Sequence, residues 1–287
     1  MAAVVNDAVY YLEGFKLFSL KMGRYKIMEE LAKSVFVTSV IEKMDTKDTN
    51  IRSLGIGSSK GDIESIFTKQ LSNHFGKLEN TVIEPAEEAI EEYKRLTAKN
   101  DWSNVDYSWF NGTFQQFKEH REKEGNATKY HHISSIDTLY YLNNPADDIL
   151  TMYNMLENGG ILMIMIVTDE NSYYRIGKRF KGIIPLTTVN CSDVLAVCEE
   201  SQFQFERYHH ECTADITEFI SSDDYPREKK VTIDYLTQTV NFKESVSECV
   251  YKEVIDYIKS SDFSSKSYDG KILLRNDFDF VLIKKKF

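Results

Sequence analysis

At 287 residues, with 42% hydrophobic and 28% charged side chains, the chain can bury a sizeable core without disulfide or metal staples. A net charge of −10 with no basic stripe gives little support to a nucleic-acid partner, and no segment is apolar for long enough to span a membrane. The four cysteines, Cys191, Cys198, Cys212 and Cys249, have neither paired nor metal-like spacing. Free thiols in a reducing cytoplasm are therefore expected, with no metal site. The opening Met1-Ala-Ala-Val-Val-Asn-Asp has no basic region or apolar run, so no signal peptide is expected.

Residues 8–32 read as a helix, with Tyr11, Phe15, Phe18, Met22 and Tyr25 on one face. That face either docks on the core or lines a small-molecule site as a lid. Ile51–Ile56 reads as a strand, followed by a turn with glycines at 55, 57 and 61 and a helix from Ile63. Thr81–Glu84 reads as a second strand ending in a carboxylate, and a helix follows Pro85. A strand within 102–114, a helix over 115–124 and a strand over 131–136 come next, with Asp137 to Tyr141 just past the strand end. A helix over 145–156 is expected to stop at Gly159-Gly160, before the apolar strand 161–167. Then come a helix over 191–200 and strands over 205–212 and 272–283, the last alternating about Leu274, Asn276, Phe278, Phe280 and Leu282.

Strands alternating with helices predict an α/β fold with a Rossmann-like sheet. The stretch 216–265 breaks the repeat with helical pieces over 232–240 and 245–259. The expected division is a lid helix and core over 1–215, an inserted substrate-side module over 216–265, and a last core strand over 266–287.

A glycine turn after the first strand lets a ligand approach the backbone and aims helix N–H groups at it. An acidic tip on the second strand suits the two hydroxyls of a ribose, so Glu84 with Gly55 and Gly57 implies a nucleoside-containing cofactor. Glu84 stands 27 residues beyond Gly57, further than the ~20 of nicotinamide dehydrogenases, and the glycine order is looser than Gly-x-Gly-x-x-Gly. Both departures favour S-adenosylmethionine. The histidine pairs 131–132 and 209–210 read as structural, because neighbours on a strand point to opposite faces.

Arg52 to Gly57, Val82 to Lys94, Leu139-Tyr140-Tyr141 and Asp234 to Phe242 together resemble the histamine N-methyltransferase family, over nearly the whole chain. The resemblance implies a class I methyltransferase with a seven-stranded sheet and a small substrate domain, acting as a cytoplasmic monomer on a small amine or imidazole. Gly57 and Glu84 match its cofactor positions, Ile136 the residue beside the adenine, and Thr113 lies near a further one. Tyr11, Phe15 and Phe18 match a wall of the substrate pocket. Tyr140 and Tyr141 match the pair near the transferred methyl, and Asn276 an asparagine that contacts substrate. No catalytic base is implied.

Four positions depart from that family. Ala89 stands where the family has a cofactor-binding glutamine, Tyr235 replaces a phenylalanine, and Arg24 and Gln238 replace pocket glutamates. A buried ammonium needs a carboxylate partner, whereas arginine suits a carboxylate ligand. Either Glu29 or Glu30 takes the role of the lost glutamate, or the acceptor carries a carboxylate held by Arg24. Arg24 facing solvent is a further reading. Ala89 also keeps open a cofactor-binding relative that transfers no methyl group.

Overall fold

The computed structural model describes residues 3–22, 24–100, 102–186, 189–221, 226–267 and 269–286. Its strands are β1 (Asn50–Ile56), β2 (Lys77–Glu84), β3 (Val105–Asn111), β4 (Tyr130–Ile136), β5 (Leu156–Val167), β6 (Gln204–His210), β7 (Thr213–Asp215), β8 (Ser264–Lys266), β9 (Ile272–Arg275) and β10 (Phe278–Lys284). The chain divides into two compact units. One comprises Tyr25–Ile166, Cys191–Tyr208 and Asp279–Phe287, and the other Met1–Arg24, Val167–Asn190 and His209–Phe278, each in its described parts. The second unit contains the expected module 216–265 but draws on two further segments as well.

The first unit is built on a seven-stranded sheet in the order β3-β2-β1-β4-β5-β10-β6. Strands β2 and β4 flank β1 in parallel, with Gly55 opposite Val82 on one side and Ser134 on the other. Parallel neighbours buried on both faces need apolar residues throughout, and Ile161 to Ile166 of β5 are all buried. Helices Glu64–His74, Glu87–Ala98, Phe114–Lys123 and Pro145–Met155 follow β1 to β4 in turn. Among the described residues no helix is long and apolar enough to cross a membrane.

One local expectation changes here. The glycines 159 and 160 do not end a helix. That helix stops at Met155, and both lie inside β5, where the register with β4 shifts between Tyr130 and His132. Gly159 has φ +77° and donates to the Lys285 carbonyl, so these residues form a bulge tied to β10. The expected helix over 8–32 is described as helical over Ala8–Met22 and Arg24–Lys33, with Gly23 and the Met22 side chain outside the described residues.

In the second unit β7, β9 and β8 form an antiparallel sheet. The single strand expected over 272–283 therefore divides between two sheets. The break is at Asn276-Asp277. Asn276 N–H donates to the Cys212 carbonyl at 2.7 Å, and Asp277 accepts from Cys212 N–H at 3.1 Å and from Arg275 Nε at 2.5 Å. Helix Ala8–Met22 lies against helix Arg227–Thr237 closely enough that a Cβ on Gly14 would stand 2.8 Å from the Tyr235 side chain.

Asp234 joins these two helices to the turn at Asn241 and Phe242. Its carboxylate, fully buried, accepts from Tyr10 Oη at 2.8 Å, Asn241 N–H at 2.7 Å and Phe242 N–H at 2.9 Å. Burial and the neighbouring Asp234 carboxylate push the Tyr10 hydroxyl above its ordinary range. Each buried donor left unpaired costs about 1–3 kcal/mol. Asp234→Ala is expected to lower stability by about 3 kcal/mol in urea unfolding, with early amide exchange at Asn241 and Phe242 as the local sign.

Candidate active site

The turn after β1 is shaped by its own hydrogen bonds. Gly57 (φ +67°) donates to the Ile83 carbonyl at 2.8 Å, Gly61 (φ +78°) donates to the Ser58 carbonyl at 3.0 Å, and Ser59 sits at φ +50°. The left-handed backbone explains Gly57 and Gly61. All three glycines also face crowded neighbours. A Cβ on Gly57 would lie 2.5 Å from Thr138 Cγ2, one on Gly55 would overlap the Glu64 carboxylate, and one on Gly61 would overlap the Tyr93 ring. Close approach by internal side chains therefore demands these glycines, a cause the sequence reading assigned to the ligand.

Glu84 at the tip of β2 is 8% exposed, and its two oxygens accept from Ser59 N–H at 2.8 Å and Ala86 N–H at 3.0 Å. Burial raises its pKa, and these two backbone donors partly oppose the rise. A carboxylate offers about four acceptor positions, so sugar hydroxyls can add to the two bonds already made. Ile136 is half-buried at the end of β4. Thr113 caps helix Phe114–Lys123 in a capping box with Gln116, which explains it locally. Ala89 is buried within its helix. The turn, the helix N-terminus beyond it and the acidic strand tip fit an S-adenosylmethionine-like group.

Past β4 the chain turns at Asp137, whose φ is +51°. Tyr140 Oη donates to Asp137 Oδ1 at 3.0 Å, and Tyr141 packs edge-on to Tyr140 with ring centres 6.0 Å apart. Tyr141 is exposed.

In the second unit an aromatic group gathers Tyr11, Phe15, Phe18 and Tyr235. Tyr11 stacks on Phe15 and lies 5.6 Å from Tyr235, and Phe18 lies 5.8 Å from Tyr235. Tyr173 completes the group, edge-on to both Phe18 and Tyr235. Gln238 turns back on its own helix, its Nε2 donating to the Tyr235 carbonyl at 2.8 Å from a left-handed C-cap at φ +49°. Asn276 is buried and accepts from Asn171 Nδ2 at 3.0 Å. Arg24 does not face solvent. It is 6% exposed, with its guanidinium 5.9 Å from the centre of the Phe278 ring. Glu29 and Glu30, the alternative carboxylates, are exposed.

Three residues escaped the sequence reading. Glu64 shares the buried face of its helix with Phe67 and Leu71, and that spacing was the available signal. Asp137 is an acidic residue at a strand tip, as Glu84 is. Tyr173 carried no signal, since its helix sits in a different stretch of chain.

The histidine pair 131–132 serves structure. His131 accepts from Arg52 N–H at 3.0 Å, and His132 packs edge-on to Phe36, where burial pushes its imidazole down to about 3. Cys191, Cys198 and Cys212 are buried free thiols and Cys249 is exposed.

A family model described as a methyltransferase domain matches residues 28–224. Histamine N-methyltransferase of Danio rerio is 24% identical over 98% of this chain and 97% of its own length. That of Mus musculus is 24% identical over 99% and 98%. Among solved structures, loganic acid methyltransferase with SAH superposes with a TM-score of 0.54, at 13% identity over 91% of this chain and 94% of that one, a likeness of fold.

Burial moves the Glu64 carboxyl from 4.5 up to about 7, against the opposing effect of the Ser58, Asn80 and Tyr93 polar groups beside it. A carboxyl with a raised folded-state pKa stabilises the fold fully below its unfolded value and loses that contribution as pH rises through the folded one. Stability is therefore expected to fall between about pH 4.5 and pH 7 on this account. Urea unfolding across that range should show the slope in the native protein and a flatter profile in Glu64→Gln.

Proposed function

Because this chain belongs to the methyltransferase domain family and takes S-adenosylmethionine as its cofactor, we propose that it transfers a methyl group to a nitrogen of a small amine of the histamine type. The observation that carries this reading is the glycine turn held by Glu84 in a chain that aligns end to end with histamine N-methyltransferases. When bound, S-adenosylmethionine supplies an activated methyl on a sulfonium. The chain's own task is then to bind, orient and desolvate. An unprotonated imidazole or amine nitrogen already carries the lone pair, so no general base is required.

We assign the cofactor to Gly55, Gly57, Glu84 and Ile136, with Thr113 and Ala89 at the edge of that set. Glu84 holds the ribose hydroxyls on acceptor positions left beside its two backbone bonds. Tyr140 and Tyr141 position the acceptor, their ring faces favouring a cation. Asp137, oriented by Tyr140, supplies the negative partner that an ammonium requires and that Arg24 cannot supply. Tyr11, Phe15, Phe18 and Tyr235 give the acceptor an aromatic wall. Gln238 and Asn276 stay on the acceptor side as the family resemblance has them, the first bonded to the Tyr235 backbone carbonyl and the second to the Asn171 side chain. The buried free thiols support a reducing cytoplasm as the place of work, and a monomer is the state we assign.

The buried position of Arg24 favours a second reading, in which the acceptor also bears a carboxylate. Labelled S-adenosylmethionine offered with imidazoles, amines and amino acids should mark a small amine or imidazole. Methylation of none of them would refute the proposal. Asp137→Asn is expected to lower kcat/KM for a cationic amine by about 10–100-fold with little change in cofactor affinity. Arg24→Gln should lose activity toward carboxylate-bearing acceptors alone, and equal loss toward plain amines would remove the second reading.

A further inference from the structure

Glu64 is a buried acid with no part in the scheme above. It is 6% exposed and occupies the first turn of the helix that leaves the glycine turn. Its carboxyl lies against the backbone of Gly55, so near that no side chain fits there. Asn80 Nδ2 of β2 donates to its Oε1 at 3.3 Å, and the Ser53 hydroxyl of β1 donates to Asn80 Oδ1 at 2.5 Å. The Ser58 and Tyr93 hydroxyls are buried beside it without a well-aligned hydrogen bond of their own. An acid placed there costs stability once ionised, and the fold could have used a hydrophobic residue on that face.

The charges around it are few. Glu84 stands at the tip of β2 and repels it, Tyr93 and Tyr107 face it from the next helix and from β3, and on the turn Lys60 is paired with Asp62 at 3.0 Å. No cation is paired with Glu64 itself among the described ion pairs, so the ligand cation is the charge that would favour its ionised form.

We propose that Glu64 is a positioning residue that senses the charge of the bound cofactor: it gives up its proton when the sulfonium donor binds and keeps it with the neutral thioether product. This rests on the assignment of the turn to S-adenosylmethionine. A cation near a carboxyl favours ionisation, and by linkage the ionised carboxyl favours the cation. The two ligands differ at the sulfur by one methyl and one positive charge. The preference for donor over product should therefore grow with pH as Glu64 ionises, helping spent cofactor to leave.

The test is calorimetric titration of the full chain with S-adenosylmethionine and with S-adenosylhomocysteine, at pH 6 and pH 8. In the native protein the ratio of the two dissociation constants should shift about fivefold toward the donor at the higher pH. In Glu64→Gln the ratio should stay level. An equal shift in both proteins would overturn the proposal and leave the cofactor assignment standing. Absence of binding by either ligand at both pH values would overturn the two together. Should the variant not fold, the carbon-13 shift of the Glu64 carboxyl in the native protein decides. Its titration midpoint should fall with the donor bound and stay put with the product, and identical midpoints would overturn the proposal.

Discussion

The end of the sheet that carries the glycine turn depends on one carboxylate. Glu84 accepts the N–H of Ser59 from the turn and the N–H of Ala86 from the start of the next helix. Two loops that belong to neighbouring strands are thereby fixed to a single group, and both point their backbone toward the same edge. Hydrogen bonds to a charged acceptor are stronger than neutral ones, so the turn is held in shape before any ligand arrives. Glycine at 57 and 61 follows from the φ this shape demands, and glycine at 55 from the acid packed against it.

Much of this was legible in the residue pattern. The apolar run at β1, the glycines after it and the acidic tip of β2 were legible as strand, turn and strand end because periodicity and turn chemistry are local. The central strand β5 was legible for the same reason. What local pattern could not express was decided by distant partners. The alternation over 272–283 runs unbroken through Asn276 and Asp277, yet the strand stops there because Cys212 takes their hydrogen bonds. Gln238 occupies a position that aligns with a binding residue, and a left-handed helix end turns its amide inward. Gly159 and Gly160 looked like a helix stop and are a bulge within β5, because the β10 backbone meets them.

The stretch from Asp234 to Phe242 changes meaning in the same way. As sequence it was one of the stretches that carry the family resemblance, with Tyr235 and Gln238 as its substrate-side positions. In the fold its acid is spent on Tyr10 and on the amides of Asn241 and Phe242. Its particularity reflects the demands of a buried charge, which must be met by several donors at once. Tyr235, one residue on, is what this scaffolding presents to the aromatic group.

The order of segments along the chain has a consequence for biosynthesis. Strand β10 is the last strand made, yet it lies between β5 and β6, and the second unit closes only when β9 has joined β7 and β8. On the ribosome, β5 must therefore wait with an open edge while more than a hundred residues emerge behind it. The nascent chain exposes its most apolar strand throughout that interval, the condition under which chaperones engage.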